Sequence, residues 1–533
     1  MGRAASHELS AAQQARAVAA LQRALGAQLI ETHISYVLLA GRDAWKIKKA
    51  VSLGFLDFGT LQRREYFCRE ELRLNRRSAP ALYLGVSPLT GTPDAPQVGG
   101  DGPVIDWVLH MRAFDQDGLW DRMARAGTLS AAHVDAGIAA LCALHRDAAV
   151  AAADDPAGRA AQARAPLRDS LAALPALCAA RQDRELVGEV ADWEAKAFPS
   201  LQPLFDARGR NGQVRECHGD LHLGNITQFE GRTTLFDGLE FDAALRWTDV
   251  MSDLAFVSMD LRAHGLPGLA QRWVNGHVEC SGDADGLRVL RYYQVHRALV
   301  RAKVAALRAA QQPEGSAPQR ETLRSLRGYL QLARGYGLPS RPTLMLTHGL
   351  SGSGKTTLTQ SLLERCGAVR FRADVERKRM FGLGAMARSD AALKPHLYGP
   401  AATEATYARL RELAALALQG GGHVILDATF LQHAQRQRAR ELAERLGVAL
   451  LILDFRADAA LLRRRVRERA ARSDDASEAD LAVLEQQIAS AQPLRDEERS
   501  LAQAIEIDAT TGSTPQDGFW APVLQRLAGG AAA

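Results

Sequence analysis

The chain has 533 residues, 47% hydrophobic and 24% charged; it is too apolar for a disordered polymer and too long for one small core, so roughly two to four folding units are expected. Aromatic residues make up only 6%, and the 45 glycines and 20 prolines follow no triplet period, so the class is ordinary globular protein and a fibrous chain is excluded. The net charge of +5, from 66 basic against 61 acidic residues, is spread along the chain; it leans slightly toward anionic substrates and says little about nucleic acid. Residues 1–27 read as a polar start followed by an Ala/Gln/Arg-rich helix, without the apolar core of a signal peptide. From Gln28, short β-like runs (Leu29-Ile30, Tyr36 to Ala40) break at Gly41-Arg42-Asp43 and resume as Trp45 to Val51, which predicts a small antiparallel sheet. An amphipathic helix follows from about Leu61 to Arg77, stopped before Pro80.

Val104 to Met111 reads as a strand, and from Leu129 to about residue 310 the chain is Ala/Leu-rich and helical. Within it, Arg146 to Pro166 reads equally as a loop or a frayed helix, and it is assigned no function. Pro313, Gly315 and Pro318 mark a boundary, so residues 311–342 are read as a linker and one helix. Residues 343–527 then alternate strand and helix, which predicts a parallel sheet covered on both faces, and 528–533 form a disordered Ala/Gly tail. The six cysteines (Cys68, Cys142, Cys178, Cys217, Cys280, Cys366) include no CxxC pair, so neither a zinc knuckle nor a disulfide framework is expected and a reducing cytoplasm fits. No run approaches the roughly 20 apolar residues that cross a bilayer, so a membrane role is not expected.

Two stretches carry chemistry. In the helical region, His218-Gly219-Asp220-Leu221-His222-Leu223-Gly224-Asn225 sets a carboxylate and an amide five positions apart, and Phe236-Asp237-Gly238 follows after a short hairpin. Phosphoryl transfer needs an orienting or basic carboxylate beside the acceptor hydroxyl and hard oxygen ligands for Mg²⁺. Asp220 suits the first task; Asn225 and Asp237 suit the second. The competing reading is a loop in which His218 caps and Asp220 accepts backbone hydrogens.

His218-Gly-Asp220-x4-Asn225 with Asp237 resembles the catalytic loop and metal-binding aspartate of aminoglycoside phosphotransferase and choline-kinase-like enzymes, over roughly residues 28–310. The resemblance implies an α+β, protein-kinase-like bilobal domain, with a small β lobe, a large helical lobe and ATP in the cleft. It implies that Lys46 holds the α/β-phosphates and that a helix glutamate holds the lysine. Glu71 shares a helix face with Phe67 and Leu74 and is preferred over Glu70. Lys48, on the same strand face as Lys46, is the rival lysine. Val108 to Arg112 becomes the hinge that meets adenine, and Asp253 resembles the aspartate that steadies the catalytic loop. The turn Glu31 to Ser35 departs from the pattern because it holds no GxGxxG. Glu240 and Asp242 are read as solvated loop charges.

The second stretch, Gly349-Leu350-Ser351-Gly352-Ser353-Gly354-Lys355-Thr356-Thr357, matches GxxxxGK[ST] between a predicted strand, Leu344 to Thr347, and a helix, Leu358 to Arg365. Backbone amides of Gly349, Ser351, Gly352, Ser353 and Gly354 turn onto phosphate, Lys355 reaches the β/γ oxygens, Thr356 ligates Mg²⁺, and Thr357 completes the nucleotide-binding loop. Two later strands end in Asp374 and Asp427, and in an open parallel sheet both face Lys355. Asp374 is the candidate base, and Asp427 holds Mg²⁺ or its water. Arg372 and Arg377 clamp an anionic acceptor, or else Glu376 to Arg379 is a solvated helix face. Arg465, Arg469 and Arg472 lie along one helix face as a lid over the transferring phosphoryl group, or as an exposed basic helix.

Residues 343 to about 510 are similar to gluconate kinase, zeta-toxin and polynucleotide 5′-hydroxyl kinase, which implies an α/β P-loop kinase domain. The order of the two domains resembles a bacterial family of fusions between an aminoglycoside phosphotransferase-like and an ATP-binding domain. The implied activity is ATP- and Mg²⁺-dependent transfer of a γ-phosphoryl group to hydroxyls of small molecules. The alternatives are a non-catalytic ATP-sensing module, or a carboxyl-terminal polynucleotide kinase, which the scarcity of aromatics near the arginines disfavours. The sequence leaves both acceptors and the oligomeric state open.

Overall fold

Alternating apolar and polar residues after Gln28 build a six-stranded antiparallel sheet in the order Gln28–Glu31, Ser35–Ala40, Asp43–Lys48, Val104–Arg112, Tyr83–Thr92, Ala95–Val98. The last two strands are invisible to a period-2 reading because Gly85, Pro88, Gly91 and Pro96 interrupt it, yet Pro88 sits in register opposite Trp107 with irregular pairing on either side. The computed structural model describes residues 9–53, 56–385, 387, 394–472, 477–508, 511 and 518–529. They form two units, residues 1–169 with 202–260, and residues 170–201 with 261–533.

In the first unit, helix Ala11–Leu25 starts in a capping box between Ser10 and Gln13. Its buried Val18 and Leu21 pack with Leu38, Ile47, Ile105 and Val108 of the sheet. The buried Gln14 donates to Lys48 O and Asp106 Oδ2 (2.8 and 2.6 Å) and accepts from Ala50 N, which fixes the helix to the strand that carries the lysines. Helix Leu61–Asn75 covers the other face, where Leu72 packs against the cluster that includes Leu109 and Met111. Beyond the sheet the unit is mainly helical. The segment after Arg146 is partly ordered: helix Ala131–Asp147 ends, a 3₁₀ turn forms at Pro156–Gly158, and helix Ala160–Leu177 resumes.

The second unit is built on a five-stranded parallel sheet in the order Val369–Arg372, Val424–Asp427, Thr343–His348, Ala449–Ala457, Ala502–Ile507. One of its cores joins Met345, Ile425, Leu453 and Ile505 to Leu358 and Leu362 of helix Lys355–Cys366 and to Trp520. Helices Pro267–Ser281, Leu287–Ala310 and Ala317–Gly337 belong to this unit as well. The proline-marked segment ends in Ser316, which caps the last of them. The final helix, Ala521–Gly529, takes in residues 528 and 529 of the expected tail; residues 530–533 lie outside the described residues. No helix among the described residues is long and apolar enough to cross a membrane.

Candidate functional sites

In the first unit, the loop between strand Val214–Glu216 and hairpin Ile226–Phe229/Arg232–Leu235 carries Asp220 and Asn225. Gly219 has φ +84°, where a side chain would meet Arg246 and Leu239. The buried carboxylate of Asp253 accepts from His218 N and Gly219 N (2.8 and 3.0 Å), and His145 lies 3.2 Å away. These charge-assisted bonds hold Asp253 well below the usual carboxylate range against the opposing effect of burial. His218 Nε2 bonds Phe236 O at 2.8 Å, and burial lowers its pKa, favouring the neutral ring. Asn225 donates through Nδ2 to Asp220 O and Oδ2 (2.8 and 3.3 Å), so its amide oxygen is the atom that could ligate a metal. Its carbonyl accepts from Phe236 N, bringing Asn225 alongside Asp237.

Asp237 has φ +59°, rare for a non-glycine, and its N–H donates to Tyr83 Oη at 3.1 Å. Lys46 Nζ lies 2.7 Å from both Asp237 Oδ1 and Glu71 Oε1. Lys48 shares Glu71 at 2.6 Å and pairs with Glu240. Exposure separates the two lysines: the Lys48 side chain is 1% exposed and Lys46 15%, beside an Asp237 that keeps 42%. Burial disfavours the Lys46 ammonium, but Asp237 and Glu71 outweigh it and raise its pKa. Glu70 turns instead to Arg73 and Arg246, 2.7 Å from each.

Two expectations change. Glu240 is buried on Lys48 rather than solvated, and Asp242 caps the short helix Ala243–Arg246. Residues 108–112 are not a hinge, because Leu109, His110 and Met111 are paired to strands on both sides. Their backbone groups are spent in the sheet, and Ala113 N beyond them donates to Arg42 O.

The second site lies at the carboxyl ends of the parallel strands. A cavity of about 590 Å³ is lined by Ser351, Gly352, Gly354, Lys355, Thr356 and Thr357 and faced by Arg372, Asp374, Asp427, Arg465 and Arg469. Gly349, Gly352 and Gly354 have φ of +139°, +86° and +80°, and a Cβ on Gly349 would come within 2.6 Å of Phe455 O. Gly349 and Ser353 line a separate cavity of about 340 Å³ with His348 and Asp454, on the other side of the loop.

Lys355 Nζ donates to Gly349 O and Leu350 O (2.9 and 2.7 Å), and burial pushes its pKa down to about 8 although Asp427 opposes the shift. Thr356 Oγ1 is 2.6 Å from Asp427 Oδ2, so a hydroxyl and a carboxylate from different elements converge as a hard-oxygen set. Gly349 N also donates to Thr429 O, and Thr347 Oγ1 to Ala428 O, tying the loop to the strand that ends in Asp427.

Asp374 pairs with Arg377 at 3.1 Å, and the Arg377 guanidinium lies 4.9 Å from the Tyr398 ring centroid. Glu376, Arg377 and Lys378 are buried, so this is not a solvated face. Arg465 Nη2 donates to Asp508 O and Thr511 O, and Arg469 Nη2 to Ala479 O, which fixes both on the cavity wall. The side chain of Arg472 lies outside the described residues. Sequence reasoning missed Arg370, which is buried and donates to Thr356 O and Thr359 Oγ1 on the helix that follows the loop. It also missed Gln487, whose side-chain oxygen accepts from Ser351 N at 2.9 Å.

Residues 344–494 match the family model described as AAA domain (AAA_33). Uncharacterized protein Rv2004c of Mycobacterium tuberculosis (strain ATCC 25618 / H37Rv) is 31% identical over 430 residues, 80% of this chain and 83% of that protein. Among solved structures, a choline/ethanolamine kinase family protein from Mesorhizobium loti is 16% identical and covers 61% of this chain and 100% of its own, with a TM-score of 0.34. A gluconokinase from Sinorhizobium meliloti 1021 is 20% identical and covers 36% and 93%, with a TM-score of 0.23.

Proposed function

The chain belongs to the family of the mycobacterial protein, and from that premise we propose that it is a fusion of an aminoglycoside phosphotransferase-like domain with a P-loop kinase domain, an ATP- and Mg²⁺-dependent phosphotransferase with two nucleotide sites. By the sequence boundaries, residues 28–310 make the first domain and 343–527 the second, joined by 311–342; helices Pro267–Ser281 and Leu287–Ala310 nevertheless belong to the same compact unit as the second. The observation that carries the reading is the convergence of Lys355, Thr356, Asp427 and Asp374 on one cavity. A cation for triphosphate, an oxygen pair for metal and a carboxylate for an acceptor are the parts phosphoryl transfer requires.

At the second site Lys355 and the loop amides bind the phosphates, and Arg465 and Arg469 face them from the lid helix. Asp374 orients a hydroxyl of a small molecule and takes its proton. The acceptor oxygen bonds to the γ-phosphorus as the bond to the β–γ bridging oxygen breaks, and ADP leaves. At the first site Lys46, held by Glu71, binds phosphate, and Asp220 has the role of Asp374. Mg²⁺, held by Thr356 and Asp427 in one site and by Asn225 and Asp237 in the other, supplies charge neutralisation across the phosphates. A cytoplasmic setting goes with this reading, since all six cysteines are free thiols.

Titration of MgATP into the wild type is expected to give two sites, and into Asp220→Ala/Lys46→Met or Lys355→Ala one each. A screen of bacterial metabolite pools with ATP, run on wild type and on the single variants Asp220→Ala and Lys355→Ala, is expected to show products one phosphate heavier that disappear separately. Loss of both products in one single variant, or one site in the wild type, overturns the two-site reading.

A further inference from the structure

Strand Val369–Arg372 is the edge of the parallel sheet. Val369 N donates inward to His423 O, so the backbone groups of the even-numbered residues 368, 370 and 372 face the open side. An uncovered edge is normally blunted by charge, proline or a covering element. Here helix Pro267–Ser281 lies along it and supplies one side chain per turn. Gln271 Nε2 donates to Ala368 O at 2.9 Å, Asn275 Oδ1 accepts from Arg370 N at 2.7 Å, and Glu279 Oε1 is 3.2 Å from Arg372 Nη1. Gln271 and Asn275 are buried. Spacings of four on the helix and two on the strand keep the three rungs on matching faces. The first two rungs satisfy backbone; the third holds a side chain that lines the cavity beside Asp374.

We propose that Glu279 is a positioning residue of the P-loop site: it orients the Arg372 guanidinium beside Asp374 in the cavity, so helix Pro267–Ser281 is a working part of that site. This rests on the reading of the cavity as a kinase site. The guanidinium that Glu279 holds lines the cavity, and its planar fork matches an anionic oxygen in a fixed direction. Fixing the fork before substrate arrives removes the ordering cost from the reaction step. Arg379 reinforces the arrangement by donating to Glu279 O and pairing with Glu376.

The test uses the full chain in an Asp220→Ala background, which silences the first site, and measures hydrolysis of MgATP with water as acceptor. Glu279→Ala is expected to lower kcat about 5- to 20-fold with KM for MgATP within about twofold, the pattern of an interaction made in the transition state. Glu279→Gln, which keeps an acceptor oxygen, is expected to recover part of the loss. Glu279→Ala combined with Arg372→Ala is expected to be no slower than Arg372→Ala alone. Additive losses, an unchanged kcat in Glu279→Ala, or a fall in kcat accompanied by a raised KM and a lowered Tm overturn the positioning role while leaving the kinase site intact. A background protein that neither binds nor hydrolyses MgATP sinks the kinase reading and this one together.

Discussion

Lys46 and Lys48 stand two residues apart on one strand face, and what separates them is the partner each acquires. Lys48 is enclosed by Glu71 and Glu240, while Lys46 is shared between Glu71 and the half-open Asp237. Removing a buried cation strands its carboxylates, at a cost of about 3–5 kcal/mol. Lys48→Met is therefore expected to destabilise the first unit by about that amount in urea denaturation. Lys46→Met is expected to keep most of the stability and to lose MgATP affinity about tenfold or more, measured in a Lys355→Ala background. Equal stability of the two variants would contradict this assignment. The sequence placed both lysines and Glu71 on the correct faces because strand and helix periods are local. It could not foresee Glu240, which arrives from 192 residues away.

At the scale of elements, one arginine braces the second site. Arg436, on helix His433–Leu446, binds Glu498 through Nε and Nη2 (2.8 and 3.0 Å) and donates to Phe430 O, Gln492 O and Pro493 O. It thus joins the loop after Asp427 to the segment that follows helix Leu481–Ser490. Burial alone would raise the Glu498 carboxyl, but Arg436 and the Arg495 amide bring it to about 2, against 4.5 unperturbed. The stabilisation is fully present above pH 4.5 and is lost as pH falls toward 2. Glu498→Gln is expected to cost about 1–3 kcal/mol at pH 7, with the gap to wild type closing between pH 4.5 and 2 in denaturant titrations. A gap that stays constant across that window would remove the ion pair as the cause. The strand end that carries Asp427 was readable because the apolar run Val424 to Leu426 stops at its aspartate, whereas Asp374 sits two residues past its strand, in the first turn of helix Ala373–Met380. The brace was not, since an arginine in HAQRQRARELAERL looks like any other on a polar helix.

For the whole molecule, the two candidate loops, His218 to Asn225 and Gly349 to Thr357, were legible because each is a contiguous run whose spacing encodes its geometry. The cover on the parallel sheet was hidden, because Gln271, Asn275 and Glu279 read as an ordinary polar helix face. Its loss should be measurable: a fragment beginning at residue 343 leaves the 368–372 edge bare, whereas one beginning at 261 keeps it covered. The shorter fragment is expected to melt at least about 5 °C lower, of the order produced by 1–2 kcal/mol in a domain of this size, and to show more self-association by light scattering. Equal melting and equal scattering would show that the helix adds nothing to the sheet.

The rungs also obey a vernier. Four helical residues advance about 6.0 Å, and two residues of a parallel strand about 6.6 Å, so the rulers drift by about 0.6 Å per rung. Side-chain flexibility absorbs that drift across three rungs. Only the final pair joins two long side chains, Glu279 and Arg372, and it sits where the accumulated offset is largest. A fourth rung would be nearly 2 Å out of step, so the scale runs out at the mouth of the cavity.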